Sequence, residues 1–311
     1  MLSKVAERVY WIARYLERIE NTARLVGVYD NLLFDLPRSV NFGWFNLVLI
    51  NSAVKDFQER YKIQDERNVV KFILGDSRNS SSVVSSLKMI RENVRTTMDV
   101  VPAETWELTN ELSIFVNDNI QHGINRSKRH AFLDGIVKGC QQINGLVYGT
   151  MPHDAAWFFL RLGRNLERAD MTTRILDAGV TALLLTQEDE AAVNSRQIIW
   201  GNVLRSLGAD QSYRRTTRSA VQGDSVVYYL LEDPTFPRTI ALCLNALIAS
   251  AARLPRSKPV VEHLTKLQEN IFDDVDYEDL GEPLRDYLND LQVELASIHD
   301  IISKTWFPAV N

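Results

Sequence analysis

The sequence predicts an all-α protein, a helical bundle built from two pseudo-symmetric repeats of about 150 residues. Three observations predict it. Glycine (14) and proline (9) are scarce among 311 residues, so the chain carries few of the punctuators that many short strands require. No stretch sustains the apolar–polar alternation of a strand; the most strand-like run, Val226-Val227-Tyr228-Tyr229, meets Asp233-Pro234 within a few residues. An eleven-residue signature on one long helical segment recurs 150 positions later on another.

The elements follow in order. Residues 2–34 read as one proline-free helix, capped by Ser3 and stopped by Pro37. Residues 41–61 form a second helical segment, and 67–74 a short one ended by Gly75-Asp76. Serine-rich capping chemistry opens a helix over 80–100, and Pro102 begins the next, which runs to about Asn119. Residues 127–148, closed by Gly149, complete the first half. Pro152 and His153 start the second long helix, to about Leu185. Helices over 188–207, 210–221, 224–231, 237–254, 259–272 and 283–305 finish the chain. The whole, 1–311, reads as one compact unit with internal repeats 1–150 and 151–311.

Composition excludes several classes. Hydrophobic residues are 45% and charged residues 24%, an ordinary globular balance. A net charge of −5 speaks against a bulk electrostatic grip on nucleic acid or an anionic membrane. The start of the chain has no signal-like apolar run, and residues 240–252 are too short and too polar to cross a bilayer. A cytoplasmic protein is expected. Cys140 and Cys243 lie far apart, outside any CxxC motif, and are expected as reduced, buried thiols. The five histidines show no metal-ligand spacing, and P-loop, GxGxxG and GxSxG patterns are absent, so no metal or cofactor is expected.

The two signatures are Arg14-Tyr-Leu16-Glu17-Arg18-Ile-Glu20-Asn-Thr22-Ala-Arg24 and Arg164-Asn-Leu166-Glu167-Arg168-Ala-Asp170-Met-Thr172-Thr-Arg174, identical at six of eleven positions. Downstream, Val69-Val70-Lys-Phe72-Ile-Leu74-Gly-Asp76 parallels Val226-Val227-Tyr-Tyr229-Leu-Leu231-Glu-Asp233 at an offset of 157, and Pro102 pairs with Pro259 at the same offset. Two ordered matches at nearly one offset argue for duplication of a whole unit. On the first helix, Ile12, Leu16, Ile19 and Ala23 share one face, while Tyr10, Trp11 and Leu25 sit among the charged residues of another. Burial on two sides follows. The charged residues then have three readings: local ion pairs on a wet face, a buried Arg/Glu network fixing how the halves meet, or an anion clamp. The candidate residues are Arg14, Glu17, Arg18, Glu20, Arg24, Arg164, Glu167, Arg168, Asp170 and Arg174.

Other candidates are weaker. Arg214-Arg215-x-x-Arg218 reads as a solvated helix face, and the acidic run from Asp273 to Asp279 as an interhelical loop without calcium-loop spacing. His122 has little to support a catalytic role, and His153-Asp154 reads as capping chemistry.

The run from Ala6 to Arg24, with Glu7, Arg8, Tyr10, Trp11, Arg14, Glu17, Arg18, Glu20 and Asn21, resembles the start of the bacterial alpha-E domain family, which is named for its Glu-Arg motif. Leu160-Arg161-Leu-Gly163-Arg164-x-Leu-Glu167-Arg168-Ala169-Asp170 resembles the family's second copy, and segments around Arg91 and Trp106 also look like it. One departure is visible: Ala13 stands where the family pattern usually has a glycine, as Gly163 does in the second copy. The resemblance implies a helical fold and a setting beside circularly permuted ATP-grasp ligases and transglutaminase-like proteins. It implies no reaction for the domain itself. The expectation is an accessory or scaffold protein of an ATP-grasp-linked peptide or amide-bond system, docking the ligase or holding its acceptor. The alternatives are an enzyme using a Glu/Arg pocket between the repeats to bind an anionic substrate, and a plain helical scaffold. Oligomeric state is left open.

Overall fold

A computed structural model describes residues 1–35, 43–186 and 192–307. These residues form fourteen helices and no strand. In the first half they are α1 (Ser3–Asp35), α2 (Asn46–Ile50), α3 (Val54–Gln58), α4 (Glu66–Leu74), α5 (Val83–Arg95), α6 (Glu104–Ile124) and α7 (Arg129–Thr150). In the second they are α8 (Ala155–Leu184), α9 (Ala192–Ser206), α10 (Asp210–Thr217), α11 (Gly223–Glu232), α12 (Ile240–Ala251), α13 (Lys258–Asn270) and α14 (Glu282–Trp306).

The centre of the molecule is the α1–α8 pair. The two helices run side by side in the same direction. The backbone of Tyr10 abuts Gly163, Arg14 bonds Glu167, and Leu25 and Tyr29 share a small cavity wall with Ile175, Gly179 and Ala182. A Cβ at Gly163 would fall 2.2 Å from the Tyr10 carbonyl oxygen, so only glycine permits this approach. The matching position on α1, Ala13, is itself buried. The apolar face Ile12, Leu16, Ile19 and Ala23 is buried, and so are Tyr10 and Leu25 on the opposite side, so α1 is covered on both faces as its pattern predicts.

Each motif helix carries its own trio. Helices α5 and α7 pack on α1 and α6 contacts both; α12 and α14 pack on α8 and α13 contacts both. Helices α2 and α9 cross over: α2 lies on α8, and α9 reaches α1. Matching local geometry recurs close to the sequence offset. Ser52 (φ 51°) and Gly208 (φ 65°) each reverse the chain in the left-handed region. Each is followed by the same six-residue closing bond, Ala53 N–H to the Val48 carbonyl and Ala209 N–H to the Leu204 carbonyl. Phe57 meets Phe72 edge-on, as Tyr213 meets Tyr229. Ser82 caps α5 and Thr239 caps α12 through their hydroxyls.

Several sequence expectations need correction. Helix α1 begins at Ser3 itself, where the Leu2 carbonyl accepts from Val5 and Ala6, so Ser3 is not the cap. The segment expected as one helix over 41–61 is two short helices, α2 and α3. The left-handed turn at Ser52 splits them, and serine there gives none of the glycine signal that usually marks such a stop. Helix α5 ends at Arg95, five residues early, while α6 runs on to Ile124. Gly149 lies inside the last turn of α7 instead of closing it. Asp154, not Pro152 or His153, starts α8, its carboxylate accepting from the Ala156 and Trp157 amides. Helix α10 stops at Thr217, where Arg218 adopts φ 53°. Pro37, Asn41 and residues 188–191 lie outside the described residues.

Candidate functional site

The Glu-Arg motifs face each other across the α1–α8 seam. Glu167 Oε1 accepts from Arg18 Nε at 2.6 Å, and its Oε2 accepts from Arg14 Nε at 2.7 Å and Arg18 Nη2 at 3.1 Å. The pattern returns in reverse: Glu17 Oε2 accepts from Arg168 Nε at 2.9 Å. The other oxygen of Glu17 accepts from Arg238 at 2.9 Å and from Asn21 at 3.4 Å. Arg238 also reaches Glu20, which accepts from Arg24 as well. Asp170 accepts from Arg174, and Arg174 continues to the Ile50 carbonyl and the Ser52 hydroxyl at the end of α2.

Both central carboxylates are buried, with side chains 1% exposed. Burial pushes the Glu17 carboxyl up, but Arg238, Arg168 and Arg164 outweigh it and hold it down at about 2. Burial acts the same way on Glu167, and Arg18 and Arg14 bring it to about 2. Such carboxylates are fixed anions. Their lone pairs are filled by guanidinium N–H groups, which leaves them poor acceptors for a substrate proton.

The wet-face reading is therefore excluded for Glu17 and Glu167, and the inter-helix network is what the geometry contains. The ten candidate residues come together with one exception. Arg164, the counterpart of Arg14, makes no ion pair among the described residues. Its Nη2 donates to Asn144 Oδ1 at 2.9 Å and its guanidinium lies 4.4 Å from the Tyr148 ring centroid. Two grooves of about 650 and 660 Å3 lie elsewhere, one beside Trp200 and Gly223 and one beside Leu2 and Pro102, and none of the ten candidates lines either.

Sequence reading missed two residues of the network and one separate buried arginine. Arg238 sits 221 residues from Glu17, just before the α12 cap, and Thr172 fixes it by donating to its carbonyl at 2.7 Å. Ser81 occupies the matching place before the Ser82 cap, so the duplication gave no hint of an arginine there. His299 contacts the network through Tyr10, whose hydroxyl is 2.9 Å from His299 Nδ1 and accepts from Arg14. Arg129, buried at 1% exposure, bonds Asp30, Glu66 and the carbonyls of Gly123 and Ile124, tying α7 to α1, α4 and α6. No regular spacing relates these residues to their partners.

The weaker candidates fall where the sequence put them. Arg214, Arg215 and Arg218 are exposed. The acidic run is the α13–α14 loop, with Asp276 accepting from the amides of Glu278 and Asp279. His122 lies in the last turn of α6 and takes no part in the network. Both cysteines are buried and unbridged, and burial raises both thiols, Cys243 to about 12. Among the described residues no helix is long and apolar enough to cross a membrane.

Fold and site together define an all-helical protein held by a buried lattice of reciprocal arginine–glutamate pairs between two long parallel helices. The chain belongs to the Alpha-E family, described as a predicted alpha-helical domain with a conserved ER motif, which it matches over residues 1–307. It is similar to uncharacterised proteins of Mycobacterium bovis (21% identical) and Mycobacterium tuberculosis (21% and 20% in two strains). These alignments cover 97% of this chain and 36% of each relative, so the chain spans about a third of the length of the curated relatives it matches. No solved structure matches.

Proposed function

We propose that this chain is a cytoplasmic accessory protein of an ATP-grasp-linked peptide or amide-bond system, docking the ligase or holding its acceptor, with the Glu-Arg motif as the lock between its two halves. The observation that carries the reading is the saturation of Glu17 and Glu167 by arginine donors. A carboxylate held at about 2 in a filled hydrogen-bond shell serves geometry better than acid–base chemistry. Two further facts favour a partner-dependent role. The sequence carries no phosphate-binding fingerprint, and in the mycobacterial relatives the matching region lies within a chain nearly three times as long.

The reading includes an internal duplication, supported by the paired trios, the paired left-handed turns and the paired caps. A circularly permuted ATP-grasp ligase and a transglutaminase-like protein are the proposed partners. The test is affinity purification of the tagged protein from its native host at low salt. Near-stoichiometric recovery of either partner, reduced on repeating the purification with Glu167→Gln, in which the lock between the halves is weakened, supports the reading. Turnover of an anionic substrate by the chain alone, abolished by Glu17→Gln in a folded protein, overturns it in favour of an enzyme.

A further inference from the structure

The ion-pair lattice is unequal, and its inequality is local. Seven arginines (14, 18, 24, 164, 168, 174 and 238) face four carboxylates (Glu17, Glu20, Glu167 and Asp170), and every arginine but one has a carboxylate partner. The exception is Arg164, 2% exposed. Its counterpart Arg14 bonds Glu167 through Nε. The equivalent position at Glu17 is taken by Arg238, an arginine the first half lacks. Arg164 is displaced from the carboxylate its helix position would otherwise reach.

What remains around Arg164 is a partly filled fork. Only Nη2 has a hydrogen-bond acceptor, the Asn144 amide oxygen. The open side is covered by the Tyr148 ring, itself 49% exposed. Tyr148 rests edge-on against Trp157, whose indole stacks on His153. Gly145 and Gly149 flank Tyr148 on α7, and a Cβ at either would meet nothing within 4 Å, so the approach over this turn is open. Arg161, one turn earlier on α8 and part-exposed, has no side-chain hydrogen bond or ion pair among the described residues. Burial draws the Arg164 guanidinium down to about 10, and the neighbouring Arg168 adds to it; Tyr148, Glu17 and Glu20 oppose the shift without a direct ion pair and do not cancel it.

We propose that Arg164, with Asn144 and Arg161, is a binding site for a carboxylate group, which enters by displacing the Tyr148 ring and supplies the direct ion pair that Arg164 lacks. A planar, bidentate acceptor matches the vacant edge of a guanidinium, and Tyr148 offers the cation only a ring face in its place. The group comes from a free dicarboxylic acid or from a glutamate side chain of a peptide. The site belongs to this chain by itself and goes beyond the accessory reading; it is tested without any ligase.

The test is thermal unfolding of the full chain in glutarate, in sodium phosphate, in an amidated glutamyl peptide and in sodium chloride, at matched ionic strength. Glutarate is expected to raise Tm saturably, with at least a tenfold weaker effect in Arg164→Gln. Tyr148→Ala, which uncovers the fork, is expected to lower the half-saturating concentration severalfold. If Arg164→Gln fails to fold, Arg164→Lys keeps the charge without the fork and is expected to lose at least tenfold in affinity. A peptide that matches glutarate assigns the group to a peptide source, and one without effect to a free acid. No saturable rise, an equal rise in the Arg164 variants, or an equal rise in phosphate overturns the proposal.

Discussion

Glu167 is held by two arginines of one helix, and Glu17 by arginines from two elements, yet both are equally dry. Their attraction to arginine outweighs the cost of leaving water only while both sides remain charged. Removing one partner of a buried pair costs about 3–5 kcal/mol, so Glu167→Gln is expected to lower stability by that order, read by urea unfolding. The same carboxylates set a pH limit. Folded values near 2, below the ordinary 4.5, mean that their contribution is complete above about 4.5 and is lost as pH falls towards 2. Tm should therefore drop steeply across that interval, and the Glu167→Gln variant should show a shallower drop. Arg129 is a second dry cation with four partners; Arg129→Met is expected to cost about 3–5 kcal/mol by the same argument and to loosen α7 from α1.

The helices themselves depend on close approach as well as on charge. Gly163 lets the α8 backbone touch that of Tyr10, and the side chain of Arg14 packs there too. Gly163→Ala must push the two longest helices apart, at a cost of about 1–3 kcal/mol, and weaken the Arg14–Glu167 bond that the spacing allows. Circular dichroism melting of that variant beside Gly149→Ala, where the surroundings are open, separates contact from helix propensity. At this scale most of the chain was legible before the fold was known. The long motif helices, the short helix over Glu66–Leu74 and the helix begun near Pro283 all follow from periodicity and from the prolines and glycine that bound them. The break at Ser52 was not legible, because its left-handed turn is held by tertiary contacts, among them Arg174 of α8, instead of by a glycine.

The whole molecule buries Cys140 on α7 and Cys243 on α12, one on each side of the central pair. Both thiols are raised by burial, so they are expected to react with a thiol reagent only as fast as the protein opens globally, at equal rates. A fast phase for either would mean that its half opens independently, against one cooperative unit.

The sequence by itself determined the helical class, the recurrence of the motif and ten of the eleven residues of the charged lattice, because periodicity and identity are local properties of the chain. Only the tertiary structure decided which arginine meets which carboxylate. Arg238 comes from a loop 221 residues away from Glu17, and its arrival leaves Arg164 without a direct ion pair. A pairing among seven arginines and four carboxylates is set by where helices cross, and no spacing along the chain encodes that.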